Sequence, residues 1–306
     1  MNEIEFAGLV DEHKRGLHQH CYRMLGSLHD AEEALQETWI AAWKGIDAFE
    51  GRSKVRTWLY TIATRCCLRH AERQPPRLLS WEHGPSREPE DDLGEPIMDS
   101  IWLDPWPSDP GEAAPRRETI GLAYVASLQH LPPNQRAVLL LSEVLAFSAA
   151  EVAGMLDTST ASVNSALQRA RATVSTRVTA EPVVSDDERV LLDSFVDAWE
   201  RADVDALVEM LSEGVKFTMP PLLAWYDGRD AVLGFVERKV FATQWKLVPV
   251  VANGQPAYAC YQGPDFKLGA INVLTVEDGK ISWIAAFVDP AVTAQFGLPE
   301  YFPADR

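Results

Sequence analysis

The sequence is short of cysteine, of cations and of long apolar runs, and each shortage excludes a class of protein. Four cysteines (Cys21, Cys66, Cys67, Cys260) among 306 residues show no C-x-x-C spacing and no disulfide framework. Reduced thiols in a cytoplasmic protein are expected. No stretch approaches the roughly 18 apolar residues of a membrane helix. The N-terminal MNEIEFAGLVDEHKRG has neither the basic nor the apolar region of a signal peptide, so no membrane partner is expected. Gly-rich phosphate loops and Ser/His/Asp orders are also missing. His18-Gln19-His20-Cys21 lacks distant ligand partners and reads as a helix face, and Cys66-Cys67 as buried helical thiols, so no metal and no cofactor are expected. Cations number 28 against 45 acids, a formal charge of −17. Such a surface repels phosphate on average and argues against nucleic acid. What is present is globular: 46% hydrophobic residues and ten tryptophans exclude a disordered chain. The length suits two domains, or three small ones.

The average charge hides its distribution. Residues 51–74 carry six cations (Arg52, Lys54, Arg56, Arg65, Arg69, Arg73) and one acid, Glu72, for a net +5. Residues 119–180 are net +1, with Arg169, Arg171 and Arg177 close together. The remaining segments are acidic: −6 over 1–50, −7 over 75–118 and −10 over 181–306. Two cationic islands therefore interrupt an anionic chain. Residues 5–74 and 117–178 read as helices by period. Residues 75–115 are rich in proline, glycine and acid, which is linker composition, although Trp81, Trp102 and Trp106 are odd for a passive tether. After EPVVSDDE, two helical stretches (about 187–200 and 204–212) precede alternating runs such as WKLVPVVA and LGAINVLTVEDGKISWIAAFV. The DGK at 278–280 predicts a hairpin turn.

DAEEALQETWIAAW (30–43) puts Ala31, Leu35, Thr38, Trp39 and Ala42 on one helix face and Glu33, Gln36, Glu37 and Ile40 on another. In FEGRSKVRTWLYTIATRCCLRHAER (49–73) a glycine-containing loop leads into a helix, and along the segment cations are interleaved with Phe49, Trp58 and Tyr60. Charge that tracks a backbone, with rings that stack on bases, is what single-stranded nucleic acid requires. These two segments closely resemble region 2 of sigma-70 superfamily factors, particularly the extracytoplasmic-function (ECF) group. The resemblance implies that Glu33, Gln36, Glu37 and Ile40 dock on the β′ clamp helices of core RNA polymerase. It implies that the loop Phe49–Lys54 captures a flipped base. Phe49, Arg52, Ser53, Lys54, Arg56, Trp58, Arg65, Arg69 and His70 would then bind and melt −10 DNA. One departure is specific: the family's usual A-T-N-R reads Ala63-Thr64-Arg65-Cys66, so Arg65 stands where an asparagine often lines the base pocket.

In residues 131–174, Pro132-Pro133 suits a helix start, and Ser148-Ala-Ala-Glu151 is a capping box opening a short helix. After the turn Asp157-Thr158-Ser159, a second helix carries Val163, Ala166, Leu167 and Ala170 inward and Asn164, Ser165, Gln168, Arg169 and Arg171 outward. This is helix-turn-helix organisation. The segment resembles sigma region 4, which implies that those five outward residues contact the −35 element and its phosphates. The β flap of polymerase and promoter DNA are the further partners implied.

Residues 187–306, opening with FVDAWERADVDALVEMLSEGVKFTMPP, resemble the SnoaL-like, ketosteroid-isomerase-type α+β cone. The resemblance implies an apolar pocket, for which Phe217, Met219, Trp225, Trp245, Tyr258 and Trp283 are the candidate lining, with a small molecule or a protein as ligand. Asp227, Asp230, Asp265 and Asp289 are not framed by a catalytic motif: Asp227-Gly228-Arg229 is turn chemistry and Asp289-Pro290 a strand end. WLDPWP (102–107) resembles the linker of ECF factors fused to such a domain, which implies regulation in cis.

The fold expected is multidomain. Residues 1–74 form an all-α sigma region 2, 75–116 a linker and 117–180 an all-α region 4. The α+β cone follows at 187–306. The expected function is that of an ECF-type sigma factor, not an enzyme. The alternatives are a helix-turn-helix regulator with a ligand-binding domain, which leaves the 30–70 segment unexplained, and a SnoaL-like enzyme fused to DNA-binding helices.

Overall fold

The computed structural model describes residues 3–49, 51, 53–99, 101–108, 121–174 and 185–303, with side chains from residue 5. In chain order the elements begin with α1 (Glu3–Leu25), α2 (Leu28–Gly45), α3 (Val55–Ala71), α4 (Ser80–His83) and β1 (Pro107–Ser108). Next come α5 (Leu122–Gln129), α6 (Pro133–Leu139, prolonged by a π turn over Leu140–Val144), α7 (Ala149–Met155) and α8 (Thr160–Thr173). Then follow α9 (Asp186–Glu200), α10 (Val204–Met210), β2 (Leu211–Thr218), β3 (Trp225–Asp227) and α11 (Arg229–Phe235, with a π turn over Val236–Val240). The chain closes with β4 (Trp245–Ala252), β5 (Gln255–Gln262), β6 (Lys267–Glu277), β7 (Lys280–Phe287) and α12 (Pro290–Ala294). They divide into two compact units, residues 1–78 with 123–179, and residues 79–122 with 180–306.

The first unit is all helix. Ser27 caps α2 by accepting from the Asp30 N–H, and α2 then buries Ala31, Ala34, Leu35, Thr38 and Ala42. Gly16 permits close approach of α1 to α3, because a Cβ there would lie 2.8 Å from Tyr60 Oη. Cys21, Cys66 and Cys67 are buried between the same helices. Burial, and then contact with Cys21, pushes the Cys67 thiol far up, so it is a packing group rather than a thiolate. His20 is also interior. Its Nε2 donates to Thr64 Oγ1 at 2.9 Å, because the Thr64 proton is already given to the Tyr60 carbonyl. His18 instead faces Glu32 at 3.4 Å, so the two histidines serve different contacts. In the second half of the unit, Ser148 and Glu151 form the reciprocal capping box of α7. Ser159 caps α8.

The second unit is an α+β cone. Its sheet runs β1-β4-β5-β6-β7-β2-β3, antiparallel except for the β2–β7 pair. Asp278 and Gly279 both have positive φ, as a two-residue hairpin turn requires. Helices α9 and α11 cover one face, where Phe195, Trp199, Phe217, Tyr226, Phe235 and Tyr258 share a core.

The six expected pocket residues do not share one face. Phe217, Met219 and Tyr258 are buried in the helix-covered core, and Trp245 packs against its margin while donating its indole N–H to the Val240 carbonyl. Trp225 and Trp283 lie on the opposite face. Strand alternation requires this: Phe217 pairs with Tyr226 and Ile284, whereas Thr218 pairs with Trp225 and bonds the Trp283 indole at 3.0 Å. Trp81 of α4 lies edge-on to both tryptophans, with ring centroids 6.3 and 5.0 Å away.

Residues 79–122, most of the expected linker, belong to this unit. Trp225 donates its indole N–H to Gly84, Arg87 bonds the Trp225 carbonyl, and Ile97 bonds the Pro221 carbonyl. Trp102 packs on His83 at 4.8 Å, Trp106 donates its N–H to the Asn253 side-chain oxygen and accepts the Asn253 N–H at its carbonyl, and Pro107–Ser108 adds an edge strand to β4. Leu122, at the far end of the segment, donates its N–H to the buried Gln255 side chain at 2.7 Å. Two of the four acids considered for catalysis are used structurally: Asp227 pairs with Lys216 at 2.9 Å and Asp289 caps α12.

Candidate nucleic-acid interface

The loop before α3 positions the first group of candidates. Phe49 follows a short helical turn over Ile46–Ala48 and packs on Trp58 with ring centroids 4.9 Å apart. Ser53 and Lys54 are exposed, Lys54 being the N-cap residue of α3. Arg52 lies outside the described residues.

Along α3 the cations diverge in their partners. Arg56 donates to the Leu145 carbonyl at 3.2 Å, and its guanidinium sits 4.5 Å from the Phe147 ring and 5.1 Å from the Tyr60 ring. Arg65 donates to the Met155 carbonyl at 3.2 Å. Both acceptors are at C-terminal ends of region 4 helices, where carbonyls have no helical donor and carry partial negative charge. Arg69 and His70 instead share Glu37 of α2, at 3.0 and 3.3 Å. Partial burial pushes the Glu37 carboxyl up, but its bonds to Arg69 and His70 outweigh that and hold it below the ordinary carboxylate range.

The polymerase-facing candidates therefore do not form an independent surface. Glu37 belongs to an ion-pair cluster with two DNA-facing candidates. Glu33, Gln36 and Ile40 are exposed beside it, with Gln36 bonded to Glu32 and Glu33 3.5 Å from His29. Ile40, an apolar side chain, is 56% exposed, and Trp43 beside it is held by Phe6 at 5.0 Å. Sequence periodicity did not select Trp43, because its neighbours Ala42 and Trp39 are partly or wholly interior.

In α8, Val163 and Ala170 are buried while Asn164, Ser165, Gln168, Arg169 and Arg171 are all exposed. Arg171 reaches back to Glu143 at 2.5 Å, which fixes the base of the helix against the π turn after α6. The other four present amide, hydroxyl and guanidinium groups of the kinds that read base edges in a major groove. Leu145 and Met155 carry no sequence signal for their role, since a carbonyl acceptor is available at any residue.

The family patterns for sigma-70 region 2, sigma-70 region 4 and the SnoaL-like domain match residues 9–75, 122–174 and 192–284. The chain is 40% identical over 315 aligned positions to the ECF RNA polymerase sigma factor SigG of Mycobacterium tuberculosis, covering 97% of this chain and 84% of that one. It is 44% identical over 71 positions to the ECF RNA polymerase sigma factor SigW of Bacillus subtilis, covering 23% and 38%. The crystal structure of the M. tuberculosis extracytoplasmic function sigma factor SigJ aligns over 94% of this chain and 98% of its own, with a TM-score of 0.65 and 21% identity, a likeness of fold.

Proposed function

Since the chain belongs to the ECF RNA polymerase sigma factors, which direct promoter-specific initiation with core polymerase, we propose a division of that work among its surfaces. The exposed α8 face carries the reading: Asn164, Ser165 and Gln168 contact −35 base edges, and Arg169 and Arg171 contact base or phosphate. Glu33, Gln36, Glu37 and Ile40 dock on the β′ clamp helices, and region 4 meets the β flap. Phe49, Arg52, Ser53, Lys54, Arg56, Trp58, Arg65, Arg69 and His70 capture and open −10 DNA. The protein acts in the cytoplasm, where polymerase is.

The arrangement of the first unit adds a condition. Arg56 and Arg65 are bonded to region 4 carbonyls, so their use on DNA requires those bonds to be exchanged for phosphates. Distance requires it too. The −35 and −10 elements lie about 25 base pairs apart, about 85 Å of B-DNA at about 3.4 Å per step. A compact unit of this size is only about 36 Å across, from the usual scaling of radius with chain length. Regions 2 and 4 separate to engage a promoter, and polymerase supplies the surfaces that hold them apart.

The C-terminal cone is a regulator in cis rather than an enzyme. The observation behind this is that it holds the segment between the two sigma regions at both ends, through Trp81, Trp106 and Leu122. A tether pinned in this way loses reach that a free one would have. Its modulating action is tested by transcription from a selected promoter with purified core polymerase, comparing the full chain with Asn253→Ala and Gln255→Ala. Altered promoter activity at equal core affinity supports regulation through the tether, and unchanged activity in both variants refutes it. If the full chain never confers promoter-specific initiation on core polymerase, the assignment of surfaces fails as a whole.

A further inference from the structure

Where regions 2 and 4 meet inside the first unit, there is a cavity of about 320 Å³ that promoter reading does not use. Its walls come from three places: Leu25 and Asp30 around the α1–α2 turn, Ala71 and the residues just past α3, and the α5–α6 connection. Two Pro-Pro pairs, 75–76 and 132–133, make much of the remaining wall apolar and rigid.

Its charge is unbalanced. Arg77 and Arg136 both line the cavity and are only 1% and 4% exposed. Arg77 donates through Nη2 to Asp30, and its Nε and Nη1 have no partner. Arg136 spends its Nη groups on the carbonyls of Met24, Gln129 and Leu131 and on the Gln129 amide oxygen, while its Nε has none. Burial brings the Arg136 guanidinium down to about 10, the mark of a cation short of anionic company. Asp30 is the one carboxylate among the lining residues, so two guanidiniums face a single negative charge. Buried cations are normally paired in full.

We infer that this cavity binds a small monocarboxylate with an apolar body, its carboxylate completing the Arg77–Asp30–Arg136 cluster. The charge argues for one negative unit, whereas a phosphomonoester carries closer to two at neutral pH. The apolar walls and the volume suit a ring or short-chain body. Because the walls come from both sigma regions, such a ligand binds the packed arrangement of the unit and stabilises it by mass action. The site is independent of the assignment of promoter contacts, since its occupancy is measured on the free protein.

The test uses the full chain at pH 8. Benzoate is titrated by calorimetry and thermal unfolding at constant ionic strength made up with chloride. Benzamide is the neutral counterpart and inorganic phosphate the divalent one. Benzoate is expected to bind and raise the melting temperature, with benzamide at least tenfold weaker. Ala71→Phe fills the cavity without touching its charge and is expected to weaken benzoate at least tenfold. Asp30→Asn raises the net charge by one and is expected to tighten it severalfold, which keeps the test decisive if Ala71→Phe does not fold. Benzoate that has no effect, that matches benzamide, or that binds more weakly than phosphate overturns the inference, as does unaltered affinity in the folded variants.

Discussion

Gln168 and Arg169 stand exposed one helical position apart on α8, with neither bonded through its side chain to the fold around it. Replacing each by alanine should leave unfolding unchanged and redistribute preference among −35 sequences, each good bidentate base contact being worth about 1–3 kcal/mol. Promoter selection with the reconstituted holoenzyme measures this, and unchanged selectivity would move the reading surface elsewhere. His20 makes a different prediction. Burial, and then the Arg23 charge, brings its imidazole down to about 3, against about 6.5 when unfolded. A depressed histidine binds fewer protons folded than unfolded, so its contribution is complete above about pH 6.5 and is lost as pH falls toward 3. Denaturant unfolding should show up to about 1.4 kcal/mol lost per pH unit in that window from this group. In a folded His20→Gln variant that component of the slope should be missing.

At the scale of elements, the segment from Trp81 to Ser108 is an outer layer of the C-terminal sheet, although its composition is that of a linker. Trp81 covers Trp225 and Trp283, which are only 7% and 6% exposed with it in place. Trp81→Ala should cost about 2–3 kcal/mol, below the about 3–5 of a fully buried tryptophan because Trp81 is half-buried. It should also shift the remaining tryptophan emission to the red, and an unchanged spectrum would mean that the layer does not cover those rings in solution. For the same reason, a chain cut near residue 180 uncovers the apolar side of this segment. Loss of activity on such a cut would therefore mix lost regulation with aggregation, and the point variants Asn253→Ala and Gln255→Ala separate the two.

At the scale of the molecule, the first unit presents its sigma regions packed together, with α3 against α6 and α7 and with Arg56 and Arg65 donating across the junction. Labels on Asp47→Cys and Thr173→Cys, both exposed and both in this unit, should give efficient energy transfer in the free protein. Transfer should collapse once the holoenzyme is on a promoter. High transfer in the promoter complex would contradict separation of the regions. The net charge of −17 fits this economy of DNA contact. It is concentrated outside the two cationic islands, and two cations of the first island are engaged until the regions part.

Much of this was determined by the sequence alone. Local chemistry is legible: the capping box at Ser148 and Glu151, the Asp278-Gly279 turn, the burial of Val163 and Ala170, and the outward face of α8 all follow from short-range pattern. The region 2 and region 4 segments were legible through their resemblance to the motifs of sigma-70 factors, to which period and charge only added. What tertiary structure decided is where side chains meet partners with no pattern of their own. Arg56 and Arg65 find backbone carbonyls about ninety residues away, and no residue type announces a carbonyl. Trp225 and Trp283 turn out to share a face with Trp81, away from Phe217 and Tyr258. Alternation places a strand's residues on two faces, but only packing says which face the helices take and which the linker.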